Sequence, residues 1–154
     1  MKSIEIWLDE YGESHQNPVN KAIHWCAVPV IYACVFGLLW AVPTPQAFGS
    51  EWVNWATIIM IPVMIFYFML SKVIAVAMVA FTLALAVLIN WYEGLALLSV
   101  AWLSIILFVV MWVFQFIGHA IEGKKPSFFK DVQFLLIGPI WLMADLLRRM
   151  GVKY

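Results

Sequence analysis

The apolar positions of this chain fall into long, nearly unbroken runs over 25–42, 52–70, 73–91 and 95–117. Each is close to the ~20 residues that an α-helix needs to cross the hydrocarbon of a bilayer. Pro43, Thr44, Pro45 and Gly49 separate the first run from the second, Ser71 and Lys72 the second from the third, and Glu93 and Gly94 the third from the fourth. Ahead of them Ile4, Trp7, Leu8 and Tyr11 recur at helical spacing. That stripe predicts a short amphipathic helix over 1–11 lying on the membrane surface, where Trp and Tyr are favoured. Behind them, 132–147 is apolar but shorter, interrupted by Gly138 and Pro139, with Asp145 near its end. It predicts an interfacial or re-entrant helix pair. The expected architecture is an all-α integral membrane protein, a single domain over 1–154. It has about four transmembrane helices, an N-terminal amphipathic helix and C-terminal interfacial or re-entrant helices.

Composition strengthens this reading. Of 154 residues, 65% are hydrophobic and only 12% charged, and the mean hydropathy is +0.93. Soluble domains carry about 45–50% apolar and about 25% charged residues, and a chain this short cannot hide the excess in one water-exposed fold. The formal net charge of zero gives no electrostatic reason for a nucleic-acid partner. The acidic N-terminus, with Glu5, Asp9, Glu10 and Glu13, does not read as a cleavable signal peptide. Cys26 and Cys34, the only cysteines, lie about 12 Å apart along a helix, too far for a disulfide. No feature fixes an oligomeric state.

The placement of charge orients the chain. With the N-terminus in the cytoplasm and four crossings, all nine basic residues fall inside, from Lys2 and Lys21 through Lys72 to Lys124, Lys125, Lys130, Arg148, Arg149 and Lys153. Only Glu51 and Glu93 remain in the outer loops, as the positive-inside rule requires. Both termini are then cytoplasmic. A compact chain without an ER-retention motif points to a bacterial inner membrane; a eukaryotic counterpart would sit in the ER membrane.

The same topology gathers the candidate chemistry. His15, His24 and His119 are the only histidines, and all three fall at the inner membrane boundary. Asn17 suits a helix N-cap and Pro18 the first helical position. Asn20 and His24 then share one helical face, as do Gln115 and His119, with Glu122 one turn further on. Gly123 suits a C-cap and Pro126 ends the helix. Ionisable groups at membrane depth are costly and mark functional sites. Three imidazoles with a nearby carboxylate suit Fe, Zn, Cu or Ni, and Asn17, Asn20, Gln115 and Asp131 are candidates to orient ligands or contact substrate. Lys21, Lys124 and Lys125 can attract an anionic headgroup. The competing reading is plain: each histidine is an interfacial residue, Asn17–Pro18 a helix start, and 122–126 a loop.

Two stretches carry a resemblance. Tyr11, His15, Asn17-Pro18, Asn20 and Ile23-His24, followed by Val28-Pro29, resemble the opening of the 2-hydroxy fatty acid dioxygenase family. The run Gln115-Phe116-Ile117-Gly118-His119, continuing to Glu122-Gly123-Lys124-Lys125-Pro126, resembles its second signature, and Gly138-Pro139 with Asp145 its tail more loosely. Ser127 stands where the pattern has a small apolar residue, and Asp145 where it has Glu; both departures bear on substrate branch. The resemblance implies a small membrane enzyme that holds Fe(2+) through His15, His24 and His119. It also implies loss of one carbon from a 2-hydroxy fatty acid as CO2. That conversion removes four electrons and one O2 takes up four, so no co-reductant is required. The inferred roles are proton transfer for Glu122 or Asp131, with the fatty acid, O2 and membrane lipids as partners. A zinc hydrolase acting on a lipid would use the same ligands without oxygen. A transporter would need polar residues deep in the spans, and between Val73 and Ile89 only Thr82 qualifies. An assembly factor without metal would tolerate loss of the histidines.

Overall fold

A computed structural model of the protein describes residues 2–50, 52–95, 97–126 and 133–154. Among these it is all-helical, with six α-helices and no strand. They are α1 (Ile4–Gly12), α2 (Pro18–Trp40), α3 (Trp55–Leu70), α4 (Lys72–Glu93), α5 (Val100–Glu122) and α6 (Phe134–Arg149). Three of them, α2, α4 and α5, are long and apolar enough to cross a membrane. The fourth apolar helix, α3, has 16 residues and rises about 24 Å, short of the ~30 Å hydrocarbon core. The residues just before it, which the apolar run includes, form turns that end in a capping box, with Asn54 Oδ1 accepting from the Thr57 amide and Thr57 Oγ1 accepting from the Asn54 amide.

Helix boundaries follow local chemistry. Asn17 caps α2, its Oδ1 accepting from the Val19 amide at 2.9 Å, with Pro18 in the first turn. The helix therefore starts a full two turns before the apolar run and takes Asn20 and His24 into its first turns. At the other end of the site, Gly123 adopts φ 72° and closes α5, the Lys124 amide reaching back to the His119 carbonyl. Ser71 alone separates α3 from α4, capping the Ile74 amide. The helix of the fourth apolar run begins later than that run: α5 starts at Val100, capped by Ser99.

The core pairing is α2 against α5, antiparallel. Small residues let the two backbones close. A Cβ at Gly118 would collide with Asn20 Oδ1, and one at Gly37 with Ser104 Oγ. The local hairpin α3–α4 packs beside this pair, and Trp40 Nε1 donates to Glu93 Oε2 at the end remote from the histidines.

Two expectations change. The Ile4, Trp7, Leu8 and Tyr11 stripe of α1 is buried, and it is covered by protein. Trp7 meets Phe134 edge-on at 5.3 Å and Tyr11 meets Trp141 at 5.5 Å. The expected helix pair over 132–147 is one continuous helix, α6, with Pro139 inside it. A proline removes one backbone donor but is tolerated where neighbouring helices hold the segment. Here Tyr11 lies against Gly138, where a Cβ would come within 2.9 Å of Tyr11 Oη, and Tyr67 Oη donates to the Leu136 carbonyl at 2.8 Å.

Candidate metal centre

The three histidines come from three segments and meet at one point. His15 sits in the turn after α1, His24 two turns into α2 and His119 in the last turn of α5. Their ring centroids are 4.2–5.0 Å apart, and the ring planes are close to perpendicular. One ligand atom from each lies within 4.8 Å of the others. They are 0%, 1% and 5% exposed.

Backbone carbonyls set two of the rings. His15 Nδ1 donates to the Tyr11 carbonyl at 2.6 Å, and His24 Nδ1 donates to the Asn20 carbonyl at 2.9 Å. Both acceptors lie four residues upstream. Each bond fixes a tautomer with an unprotonated Nε2, as outer hydrogen bonds do for metal-bound imidazoles. His15 Nε2 and His119 Nδ1 are buried with no hydrogen-bond partner among the described residues. The Gln115 side chain reaches the His24 ring. Burial, then the neighbouring His24 ring, pulls the His15 pKa from 6.5 down to about 3. Its imidazole is therefore neutral, the form that binds metal. Two orphaned ring nitrogens among three converging imidazoles fit a divalent transition metal.

Glu122 acts from outside this group. Its Oε1 accepts from the Gln16 amide at 2.9 Å; its Oε2 accepts from the Asn17 amide at 2.8 Å and Asn20 Nδ2 at 3.1 Å. The carboxylate thus sits on the N-terminus of α2, where the helix dipole favours it, and ties that turn to the end of α5. Asn20 Nδ2 also donates to the Ser14 carbonyl at 3.0 Å. Together these bonds hold the His15 turn over the centre.

The lysines lie elsewhere. Lys124 Nζ donates to the Glu13 carbonyl. Lys21 lines a separate polar pocket with Trp141, Asp145, Arg148 and Arg149, and Lys125 is exposed. None of the three lines the cavity at the histidines. Asp131 and Ser127 lie outside the described residues. Tyr11 and Trp141 were not singled out from sequence as site residues. Tyr11 stacks on His15 at 4.2 Å, nearly parallel, and Trp141 flanks the same ring at 5.5 Å. Burial holds the Tyr11 hydroxyl protonated, well above the ordinary tyrosine range. The helical spacing of Tyr11 and His15 was the available signal.

From the histidines a cavity of about 310 Å³ runs between α2, α3, α5 and α6. Apart from Tyr11, Tyr32, Gln115 and the histidines its lining is apolar, with Val28, Ile31, Met60, Phe108 and Trp112 among the walls. Such a chamber, greasy with a polar end, suits an amphiphile.

The fold and site together define an all-helical protein, with three helices long and apolar enough to cross a membrane and a buried three-histidine group opening on an apolar cavity. The chain belongs to the 2-hydroxy-palmitic acid dioxygenase Mpo1-like family, whose model matches residues 1–150. No curated protein and no solved structure matches it. The family description names an enzyme, a dioxygenase, and a fatty acid substrate.

Proposed function

We propose that this protein is an iron(II)-dependent dioxygenase that shortens a 2-hydroxy fatty acid by one carbon and releases CO2. The observation that carries the reading is the trio of buried imidazoles at the polar end of an apolar cavity. His15, His24 and His119 would hold the metal. Iron(II), when bound there, would supply Lewis-acid polarisation and the means of reducing O2.

The chain's own residues would do the rest. The Tyr11 and Asn20 carbonyls keep the two Nε2 atoms free and aimed. The Tyr11 hydroxyl and the Gln115 amide are the polar groups offered to the substrate's carboxylate and 2-hydroxyl. Glu122, saturated by three donors, holds the His15 turn. With Glu122 so engaged, the proton of the 2-hydroxyl is assigned to Asp131, the other candidate carboxylate. The apolar walls exclude water, which protects the oxidation from side reactions. Four crossings with both termini cytoplasmic, supported by the distribution of basic residues, would set the centre at the inner headgroup level, where a fatty acid carries its carboxylate.

The test is product analysis. Protein loaded anaerobically with iron(II), then given 2-hydroxypalmitic acid and O2, should yield the acid one carbon shorter and CO2, each equal to the O2 consumed. Neither 2-oxoglutarate nor NADPH should be needed. Lipid ester or amide hydrolysis without oxygen, using zinc, would overturn the reading.

A further inference from the structure

The cavity's walls have a regular register. Among the residues lining it, His24, Val28, Ile31 and Val35 form one row on α2, with Tyr32 beside it, and His119, Gln115, Trp112 and Phe108 form one on α5. Both sets advance by four, three and four residues, so they form straight stripes along one face of each helix. Because the helices are antiparallel, the stripes face each other level by level: the two histidines at one end, Val35 and Phe108 at the other. Eleven residues of helix rise about 16 Å. With carbon–carbon bonds of about 1.5 Å, a zigzag alkyl chain advances about 1.3 Å per methylene, so the groove shelters about 13 methylenes. The third wall is α3, through Met60 and Val63. Among the described residues the backbones of α3 and α5 scarcely approach each other, and Val35 at the groove's far end is 41% exposed. One side wall is pinned: Tyr32 Oη is 2.7 Å from Thr82 Oγ1 and 3.3 Å from Met60 Sδ.

We infer that the facing stripes of α2 and α5 form an acyl-chain ruler, reached sideways from the membrane between α3 and α5, in which Ile31, Val35 and Phe108 set the preferred chain length. The inference rests on the reading of the histidine centre as the place where a fatty acid headgroup is held. Thirteen methylenes beyond the carbons at the centre correspond to a chain close to palmitic length. The walls select by shape, since lipid and groove are equally apolar and burial alone gives little preference.

The test is a plug scan. Bulky side chains placed at successive levels should cut the ruler at successive lengths. Binding is read by displacement of a fluorescent long-chain fatty acid from purified, metal-loaded protein, using a series of saturated 2-hydroxy fatty acids; oxygen uptake is read in parallel. Val35→Trp should trim the preferred length slightly. Ile31→Trp, one turn nearer the histidines, should bring it about five methylenes lower still. Met60→Trp plugs from the opposite wall near the level of Tyr32, and should match Ile31→Trp even if that variant folds poorly. Val76→Trp, on the exposed face of α4, should leave the profile unchanged. Unshifted profiles in metal-replete plug variants would overturn the ruler, as would absence of saturable binding to the wild type. A stepped shift in binding without oxygen uptake would uphold the ruler and overturn the dioxygenase reading.

Discussion

The two helix pairs of this protein are built from similar apolar residues and have different tasks. Helices α3 and α4 are neighbours in sequence, joined through Ser71 alone, and pack as a local hairpin. Their deep polar contacts among the described residues are few: Thr82 bonds Tyr32 and the Met78 carbonyl, the latter at 2.8 Å, and Tyr67 donates to the Leu136 carbonyl. Helices α2 and α5 are far apart in sequence, yet they form the closest pairing in the fold. Between them and the turn preceding α2 they hold all three histidines, Asn20, Gln115 and Glu122. The difference teaches where chemistry can sit in a fold of long apolar helices. A local hairpin forms on apolar packing alone. A distant pair needs small residues and polar cross-links to fix its register, and those polar groups can also orient a metal centre.

The sharpest way to break this contrast is at the α2–α5 crossing. Gly118→Leu should push Asn20 aside and separate His24 from His119. Metal affinity, measured by competition with a fluorescent chelator, should fall more than about 100-fold, since displaced outer partners alone cost about 10–100-fold. Leu83→Ala, on the exposed face of α4, should leave affinity unchanged. If both behave alike, the crossing has no special role.

Glu122→Gln comes next. It leaves two amides at the α2 N-terminus facing a neutral group and removes the charge that ties the His15 turn. Metal affinity should drop about 10–100-fold, with helical content by circular dichroism retained. Unchanged affinity would mean that the carboxylate has no part in holding the centre.

Acid should act on the same end. In metal-free protein the buried His15 has its folded pKa lowered to about 3 from 6.5. The unfolded chain then takes up this proton first, so stability falls as pH drops from about 6.5 towards 3. His15→Gln should flatten that part of the unfolding-midpoint profile. An equally steep decline in the variant would remove His15 as the cause.

The smallest effect belongs to the other pair. Thr82→Val should cost about 0.6 kcal/mol in reversible unfolding, the average for a hydrogen bond between membrane helices, and should leave metal affinity unchanged.

Much of this was legible in the sequence. The apolar runs predicted α2, α4 and α5, and the Asn17, Pro18 and Gly123 signals marked the ends that carry His24 and His119. The family resemblance rested on those same residues. The placement of the lysines was not legible, because a long flexible side chain near the right boundary can turn to either side of Trp141 or reach a carbonyl. The saturation of Glu122 was hidden too. Its partners, the Gln16 and Asn17 amides, are backbone groups more than a hundred residues away, and no side-chain pattern records them. The continuity of α6 through Gly138–Pro139 was obscured because these residues normally break helices, and it is the packing of Tyr11 against Gly138 and the Tyr67 bond to Leu136 that hold the segment.

The central claim is most directly tested by metal analysis of detergent-purified protein prepared anaerobically, wild type beside His24→Ala and His119→Ala, with oxygen uptake followed on adding a 2-hydroxy fatty acid. The account predicts about one iron per wild-type chain, substrate-dependent oxygen consumption, and loss of both in each variant. Wild-type protein that binds no metal, or variants that keep both iron and oxygen uptake, would contradict it.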